Sequence, residues 1–270
     1  MVIFAHKTSA MDSKQSTAHR LYGLVGYPLG HSFSQRFFNE KFAAENIDAE
    51  YLNFEISDIN KLREILTTHP DLCGFNVTIP HKEAVMPLLT DITPQAKEIG
   101  AVNVVKVTRD HDSTIRLQGF NTDVSGFAAD ISRLIPARHA GMQALVLGTG
   151  GASKAVVAGL KSLDIDPVTV SRTAHRGALT YPELTADIIS RTPIIVNTTP
   201  LGMHPNVDTC PPINYSAITQ KHLCYDVVYN PAMTLFMTKC AARGAIVACG
   251  IGMLHNQAND AWRIWNTPDR

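Results

Sequence analysis

Short apolar runs of strand length alternate along this chain with stretches whose apolar positions recur at helical spacing. Leu21 to Gly26 reads as a strand, and Phe37, Phe38 and Phe42 share one face of a helix drawn from Ser34 to Asn46. Ala49 to Phe54 is strand-like again, and Asp58 is a suitable N-cap for a helix running to Thr67. Gly74 to Ile79 reads as a strand, residues 81–89 continue as a helix, and a short helix over 94–99 stops at Gly100. Val102 to Thr108 and Thr114 to Gly119 read as paired strands around a polar loop, Arg109–Ser113. Such alternation predicts an α/β layer structure.

The second half repeats the alternation with longer apolar strands. Gln143 to Leu147 runs into Gly148-Thr149-Gly150-Gly151-Ala152-Ser153, and a helix to Leu163 and a strand from Val168 to Ser171 follow. Ile194 to Asn197 and Tyr225 to Tyr229 read as further strands, Met233 to Arg243 as a helix ended by Gly244, Ala245 to Cys249 as a strand, and Leu254 to Trp265 as a last helix. Strand–helix–strand units of this size belong to nucleotide-binding halves. At 270 residues the chain suits two domains. The expected division is a first α/β domain over 20–122 joined by 250–270, and a Rossmann-like domain over 123–249. The boundary falls in a helix beginning near Asp123, and the last helix crosses back. Residues 1–19, polar and without a convincing strand, read as a loose extension.

Composition removes several classes of function. Lys plus Arg and Asp plus Glu are 24 each, so the formal net charge is zero. No basic run stands out, which argues against nucleic acid or an anionic membrane as partner. No segment approaches the ~18 consecutive apolar residues of a spanning helix. Five cysteines, an odd count with no C-x-x-C pair, read as free thiols of a reducing cytoplasm. Eleven histidines show no metal-ligand spacing, so no metal is expected.

The chemistry concentrates at Gly74-Phe75-Asn76-Val77-Thr78-Ile79-Pro80-His81-Lys82. Asn76 and Thr78 sit two apart and share a strand face. Lys82 falls in the first turn of the helix that Pro80 is expected to open, where the helix dipole disfavours a cation by roughly 0.3–1 kcal/mol. An amide, a hydroxyl and a costly ammonium at one strand end suit a small polar ligand. A polar edge strand with a solvated lysine is the plain alternative.

Gly148-x-Gly150-x-x-Ser153 departs from the G-x-G-x-x-G fingerprint at its last position, but it follows a strand and opens a helix as the mechanism requires. Glycines there let backbone N–H groups approach a pyrophosphate at the helix N-terminus. A glycine-rich turn without a ligand is the alternative. NAD-binding strands place an acid about 20 residues on. Here the strand ends Ser171-Arg172-Thr173, with Arg176 close by, and Asp164 and Asp166 lie at its other end. A guanidinium suits a 2′-phosphate through charge-assisted hydrogen bonds of roughly 1.5–3 kcal/mol, so NADP is favoured over NAD.

These residues resemble the shikimate dehydrogenase family, over nearly all of residues 21–266. The resemblance rests on separated motifs in one order. Gly26-x-Pro28 with His31-Ser32-x-Ser34 comes first, then Asn76 to Lys82, Gly100-Ala101-Val102-Asn103 and Asn121-Thr122-Asp123-x-x-Gly126. The glycine loop, Ser171-Arg172-Thr173, Tyr225-Asp226-x-x-Tyr229-x-Pro231 and Gly250-x-Gly252-Met253-Leu254-x-x-Gln257-Ala258 complete it. The resemblance implies reversible NADP-dependent reduction of 3-dehydroshikimate to shikimate, a step of chorismate and aromatic amino acid biosynthesis. It implies Lys82 and Asp123 as the catalytic pair and Ser32 and Ser34 as holders of the substrate carboxylate. Asn76, Thr78, Asn103, Tyr229 and Gln257 match its other substrate contacts. Gly148, Gly150, Gly151, Ala152, Ser171, Arg172, Thr173 and Arg176 match its cofactor contacts, and Val227, Gly250 and Met253 match positions lining the nicotinamide. The partner is then a small-molecule substrate, and the assembly a monomer or homodimer.

Some roles stay open on the residues alone. Asp123 and Ser34 each suit a simple N-cap, and Met253 and Leu254 suit a core. Gln35 stands where the family has proline, Ser171 where asparagine is common, and His255 and Asn259 make the last helix more polar. His255 either touches substrate or faces solvent. An NAD-preferring quinate/shikimate dehydrogenase and a non-catalytic shikimate-binding regulator are the competing functions.

Overall fold

The computed structural model describes residues 19–30, 32–110, 112, 114–135, 137, 140–174 and 177–268. The expected loose extension, His19 apart, lies outside the described residues, as do His31 and Arg176. In chain order the first half carries β1 (Arg20–Gly26), α1 (Phe33–Ala44), β2 (Ala49–Glu55), α2 (Leu62–Thr68) and β3 (Leu72–Val77). It continues through β4 (Asp91–Ile92), α3 (Pro94–Ile99), β5 (Val104–Arg109), β6 (Ile115–Phe120) and α4 (Asp123–Ile131). The second half carries β7 (Gln143–Leu147), α5 (Gly151–Ser162), β8 (Asp166–Ser171), β9 (Ala178–Thr180), α6 (Ala186–Arg191) and β10 (Ile194–Asn197). It ends with β11 (Leu223–Asp226), α7 (Leu235–Ala241), β12 (Ile246–Cys249) and α8 (Ile251–Asn266).

Two six-stranded sheets result, ordered β2-β1-β3-β5-β6-β4 and β12-β11-β10-β7-β8-β9. The first is parallel through β2, β1 and β3, then antiparallel through β5 and β6. The second is parallel at every pairing. A parallel sheet buried on both faces needs near-continuous apolar strands, and β7 supplies one: Ala144 and Val146 enter one core, Leu145 and Leu147 the other. Strand order reverses between β7 and β10, so a crevice opens at their carboxyl ends, where α/β sheets place ligands.

In the first sheet, Val25, Phe75, Val77 and Val105 pack on one face, and Tyr22, Phe38, Tyr51 and Trp265 on the other. Tyr22 stacks on Trp265 at 4.9 Å and Phe38 on Tyr51 at 4.8 Å between ring centroids. Helix α8 joins the two halves. Met253 near its start belongs to the core under the second sheet, while Trp265 near its end donates from Nε1 to the Val105 carbonyl at 3.0 Å.

Several sequence expectations need correction. Residues 81–89 do not form a helix: turns over 82–85 lead to a single 3-10 turn, Met86–Leu88. Pro80 therefore opens no helix, and the dipole cost assigned to Lys82 does not arise. Asp58 caps the 3-10 turn Ile59–Lys61, accepting from the Asn60 N–H at 3.0 Å, and α2 begins only after it. β3 stops at Val77, so Thr78 lies beyond the strand whose face it was expected to share. β4, β9 and α6, of two, three and six residues, were too short for a periodicity to show.

Candidate functional site

The catalytic candidates meet across 41 residues of sequence. Lys82 Nζ lies 2.6 Å from Asp123 Oδ2, with the two side chains 22% and 12% exposed. Lys82 comes from the turn after β3, and Asp123 is the first residue of α4. Both groups are partly withdrawn from water, so removing either one would leave the other's charge poorly compensated.

Asp123 does not cap its helix. Asn121 does: its Oδ1 accepts from the Asp123 and Val124 N–H groups at 3.1 and 3.4 Å. The Asp123 carboxylate is thereby left for side chains. Asn103 Nδ2 donates to Asp123 Oδ1 at 2.9 Å and to Thr122 Oγ1 at 3.1 Å, while Asn103 Oδ1 accepts from the Thr122 N–H at 2.7 Å. One carboxylate oxygen is thus held by an amide and the other faces the ammonium. Such fixed orientation is what a side chain that positions an acid–base group needs.

The same cluster extends along the first sheet. Asn76 Nδ2 donates to the Asn103 carbonyl at 3.3 Å, and Asn76 Oδ1 accepts from the fully buried Tyr51 hydroxyl at 2.8 Å. Burial pushes the Tyr51 phenol well above its ordinary range, with the neighbouring Ser34 hydroxyl opposing the shift. Thr78 is half-buried, and its methyl packs so closely over Gly26 that a Cβ there would collide with it. Ser32, not Ser34, caps α1, accepting from the Gln35 N–H at 3.3 Å. Ser34 is half-buried beside Tyr51 and is free of that capping role.

Gln257 and Tyr229 approach from elsewhere. Gln257 is buried in α8; its Nε2 donates to the Leu254 carbonyl at 2.9 Å, and its own carbonyl accepts from Thr122 Oγ1 at 3.1 Å. Tyr229, 40% exposed, follows β11 and sets its ring edge against Phe33, which lies between the two serines, at 6.3 Å. His255 is exposed, as the solvent-facing alternative expected, and its ring stands edge-on to Phe33 at 5.1 Å and against Phe37 at 5.6 Å. Gln35 accepts from Asn53 Nδ2 at 3.0 Å, a bond a proline could not make.

The glycine loop lies at the crevice between β7 and β10. Gly148 adopts φ +114°, open to glycine and strained for other residues, and a Cβ there would lie 2.8 Å from Thr198 Oγ1. At Gly150 and Gly151 a Cβ would meet nothing within 4 Å. The outer face of the loop is therefore open where α5 begins, and Ala152 is half-buried in its first turn. At the end of β8, buried Ser171 accepts from the Thr173 N–H at 3.3 Å, while Arg172 and Thr173 are exposed. Among the described residues Arg172 makes no ion pair. An open loop at a helix N-terminus and an unpaired strand-end arginine fit a phosphorylated dinucleotide.

Met253 and the half-buried Val227 belong to the same apolar cluster at the start of α8. Gly250 packs so tightly on the Val227 carbonyl that no side chain fits, and Gly252 packs likewise on the Asp130 carboxylate. Met253 N–H donates to Asp130 Oδ2 at 3.0 Å, and Tyr225 OH donates to the same oxygen at 2.7 Å. Sequence reasoning did not single out Tyr51, Asn121, Asp130 or Tyr225 as supports of the site. Only Asn121 carried a usable signal, a cap residue just before a helix.

Fold and site together define a class: two-sheet α/β proteins with a nucleotide-type glycine loop and a partly buried amine–carboxylate pair. The sequence profile of the shikimate dehydrogenase substrate binding domain matches residues 24–105. A shikimate dehydrogenase (NADP(+)) of Nostoc sp. is 34% identical over 270 residues, covering 93% of this chain and 92% of its own. The crystal structure of shikimate dehydrogenase from Aquifex aeolicus superposes with a TM-score of 0.81 at 32% identity, covering 93% of this chain and 95% of its own. That of Thermus thermophilus shikimate 5-dehydrogenase, in complex with NADP(H) and shikimate, gives 0.79 at 28% identity, over 93% and 95%. The chain belongs to the shikimate dehydrogenase family.

Proposed function

We propose that this chain reversibly reduces 3-dehydroshikimate to shikimate with NADP(H), and that Lys82 moves the proton while Asp123 holds it in place. The observation that carries the reading is the 2.6 Å contact between Lys82 Nζ and Asp123 Oδ2, with Asn103 fixing the second carboxylate oxygen. The cofactor supplies or accepts the hydride at carbon. The protein must then supply or remove one proton at the substrate oxygen. In the reducing direction the Lys82 ammonium donates that proton and is left as a neutral amine. In the oxidising direction the amine takes the proton back. A positioned donor of this kind contributes typically ~10²–10⁴-fold.

The remaining assignments follow the local chemistry. Ser32, Ser34 and Tyr229 bring hydroxyls to the start of α1, where an anion is favoured, and hold the substrate carboxylate. Asn76, Thr78, Asn103 and Gln257 present neutral hydrogen-bonding groups to the ring hydroxyls. Gly148, Gly150, Gly151 and Ala152 carry the pyrophosphate, and Arg172 with Ser171 and Thr173 the 2′-phosphate. Val227, Gly250 and Met253 line the nicotinamide position. Arg176, assigned to the same phosphate by resemblance, lies outside the described residues. The substrate-binding unit comprises 20–122 and 250–270, the cofactor unit 123–249; the placement of Phe127 and Ile131 of α4 in the second core supports that division.

Mixing the protein with shikimate and NADP⁺ and following absorbance of the reduced nicotinamide tests the reading. Reduction of NADP⁺, weaker reduction of NAD⁺ and little turnover of quinate are expected. A flat trace with NADP⁺ refutes the enzymatic reading. A preference for NAD⁺ refutes the role given to Arg172.

A further inference from the structure

The segment that carries Lys82 is built of turns over 82–85, closed locally by Val85 N–H donating to the His81 carbonyl at 2.9 Å and Met86 N–H donating to the Glu83 carbonyl at 3.2 Å. Two tethers come from the loops of the first sheet. The His81 ring meets the Ile56 carbonyl at 2.6 Å, and Val102 N–H donates to the Lys82 carbonyl at 2.8 Å.

A third tether comes from the other half of the molecule. Lys154, in the first turn of α5 and three residues after Gly151, places Nζ 2.6 Å from Glu83 Oε1. Glu83 is bonded directly to Lys82. The pair borders a dry contact between the halves, where Ala155, next to Lys154, packs with Ile99, Ala101 and Val124. Lys154 Nζ also lies within 3.9 Å of where a Gly100 Cβ would stand. The ion pair therefore runs from the helix that opens at the glycine loop to the residue adjoining the proton donor.

We propose that the Lys154–Glu83 ion pair is a clasp through which the glycine-loop helix sets the position of Lys82, making Lys154 a positioning residue for the reaction. This rests on the proposed dehydrogenase chemistry. The hydride is exchanged on the side held by the glycine loop and the proton on the side held by Lys82. The rate depends on the spacing between the two, and reacting groups misplaced by a fraction of an ångström lose rate steeply. Among the described residues none of the substrate-holding groups is hydrogen-bonded to the clasp, so its loss acts on turnover and not on substrate affinity. The two side chains are 39% and 61% exposed, so their interaction is modest and screened by salt.

The test is a double-mutant cycle with Glu83→Gln, Lys154→Met, the double variant and Lys154→Arg. Turnover, KM for shikimate and fluorescence-titrated affinity for NADP⁺ are measured at low and high salt, and thermal unfolding verifies the fold. Each single change is expected to lower kcat about two- to fivefold at low salt, the range of an exposed pair. The double variant should be no worse than either single one, Lys154→Arg should restore turnover, and high salt should erase the advantage of the unaltered protein. KM for shikimate and NADP⁺ affinity should stay level throughout. Additive losses, unchanged turnover in both single variants, or a loss of NADP⁺ affinity confined to Lys154→Met would each overturn the clasp. An unaltered protein inactive toward shikimate and NADP⁺ would instead refute the enzymatic reading, so the two failures are distinguishable.

Discussion

Asp226 ends β11 fully buried, and among the described residues no cation pairs with it. Its Oδ1 accepts from Asn197 Nδ2 at 3.0 Å and from the Val228 N–H at 3.0 Å, and its Oδ2 accepts from Thr234 Oγ1 at 2.6 Å. Burial pushes its pKa from 3.8 up to about 6, against the pull of those three donors. The folded protein therefore holds a proton that the unfolded chain releases between about pH 4 and about pH 6. Stability falls as pH rises through that window, and the full cost is present above it. A change from 3.8 to about 6 corresponds to ~3 kcal/mol at 1.36 kcal/mol per unit, an order-of-magnitude figure. Asp226→Asn should remove this dependence and keep the geometry. The amide oxygen can accept from Asn197 and Val228, and the amide nitrogen can donate to Thr234 Oγ1. Urea unfolding of both proteins across the window isolates the effect, because every other titrating group is shared. The difference in stability between the two should move by ~3 kcal/mol in favour of the variant from about pH 4 to about pH 7. Parallel curves would refute the reasoning. The result bears on the site, because Asp226 anchors the turn that carries Val227 and Tyr229.

Three further outcomes are expected. Lys82→Ala should lower turnover by roughly 100-fold or more with little change in substrate affinity; retained turnover would remove Lys82 as the proton donor. Arg172→Ala should weaken NADP⁺ binding by about 1–3 kcal/mol and leave NAD⁺ nearly unchanged; equal losses in a titration of both would make Arg172 structural. Tyr51→Phe strips Asn76 Oδ1 of its buried donor and should cost about 1–3 kcal/mol in denaturant unfolding, together with a higher KM for shikimate; unchanged values for both would show that Asn76 is held by other means.

Much of the site could be read along the chain because its groups sit at punctuation points that local chemistry marks. Gly148 to Gly151 after an apolar strand, Arg172 without an acid at the next strand's end, and Gly100 closing a short helix in the left-handed conformation (φ 70°) are local features. Periodicity worked best where one face or both faces of an element are buried, and Gln143–Leu147 and Ile194–Asn197 fall where the pattern put them. It failed for residues 81–89, whose composition tolerates a helix but whose first residues are claimed by tertiary bonds. Val102 N–H takes the Lys82 carbonyl, and the buried His81 ring takes that of Ile56.

The sequence by itself determined the α/β class, the order of the two halves, the glycine loop between strand and helix and, through motif resemblance, the residues proposed to do the chemistry. Those properties depend on backbone sterics and on apolar spacing, which act between near neighbours. The tertiary structure alone decided which groups are paired and which are committed elsewhere. It gave the capping duty to Asn121 and Ser32, leaving Asp123 to meet Lys82 and leaving Ser34 beside Tyr51, and it set His255 against two phenyl rings. A hydrogen bond between side chains 41 residues apart leaves no local trace, because its partners are chosen by how the two sheets and α8 pack rather than by anything either residue's neighbours prefer.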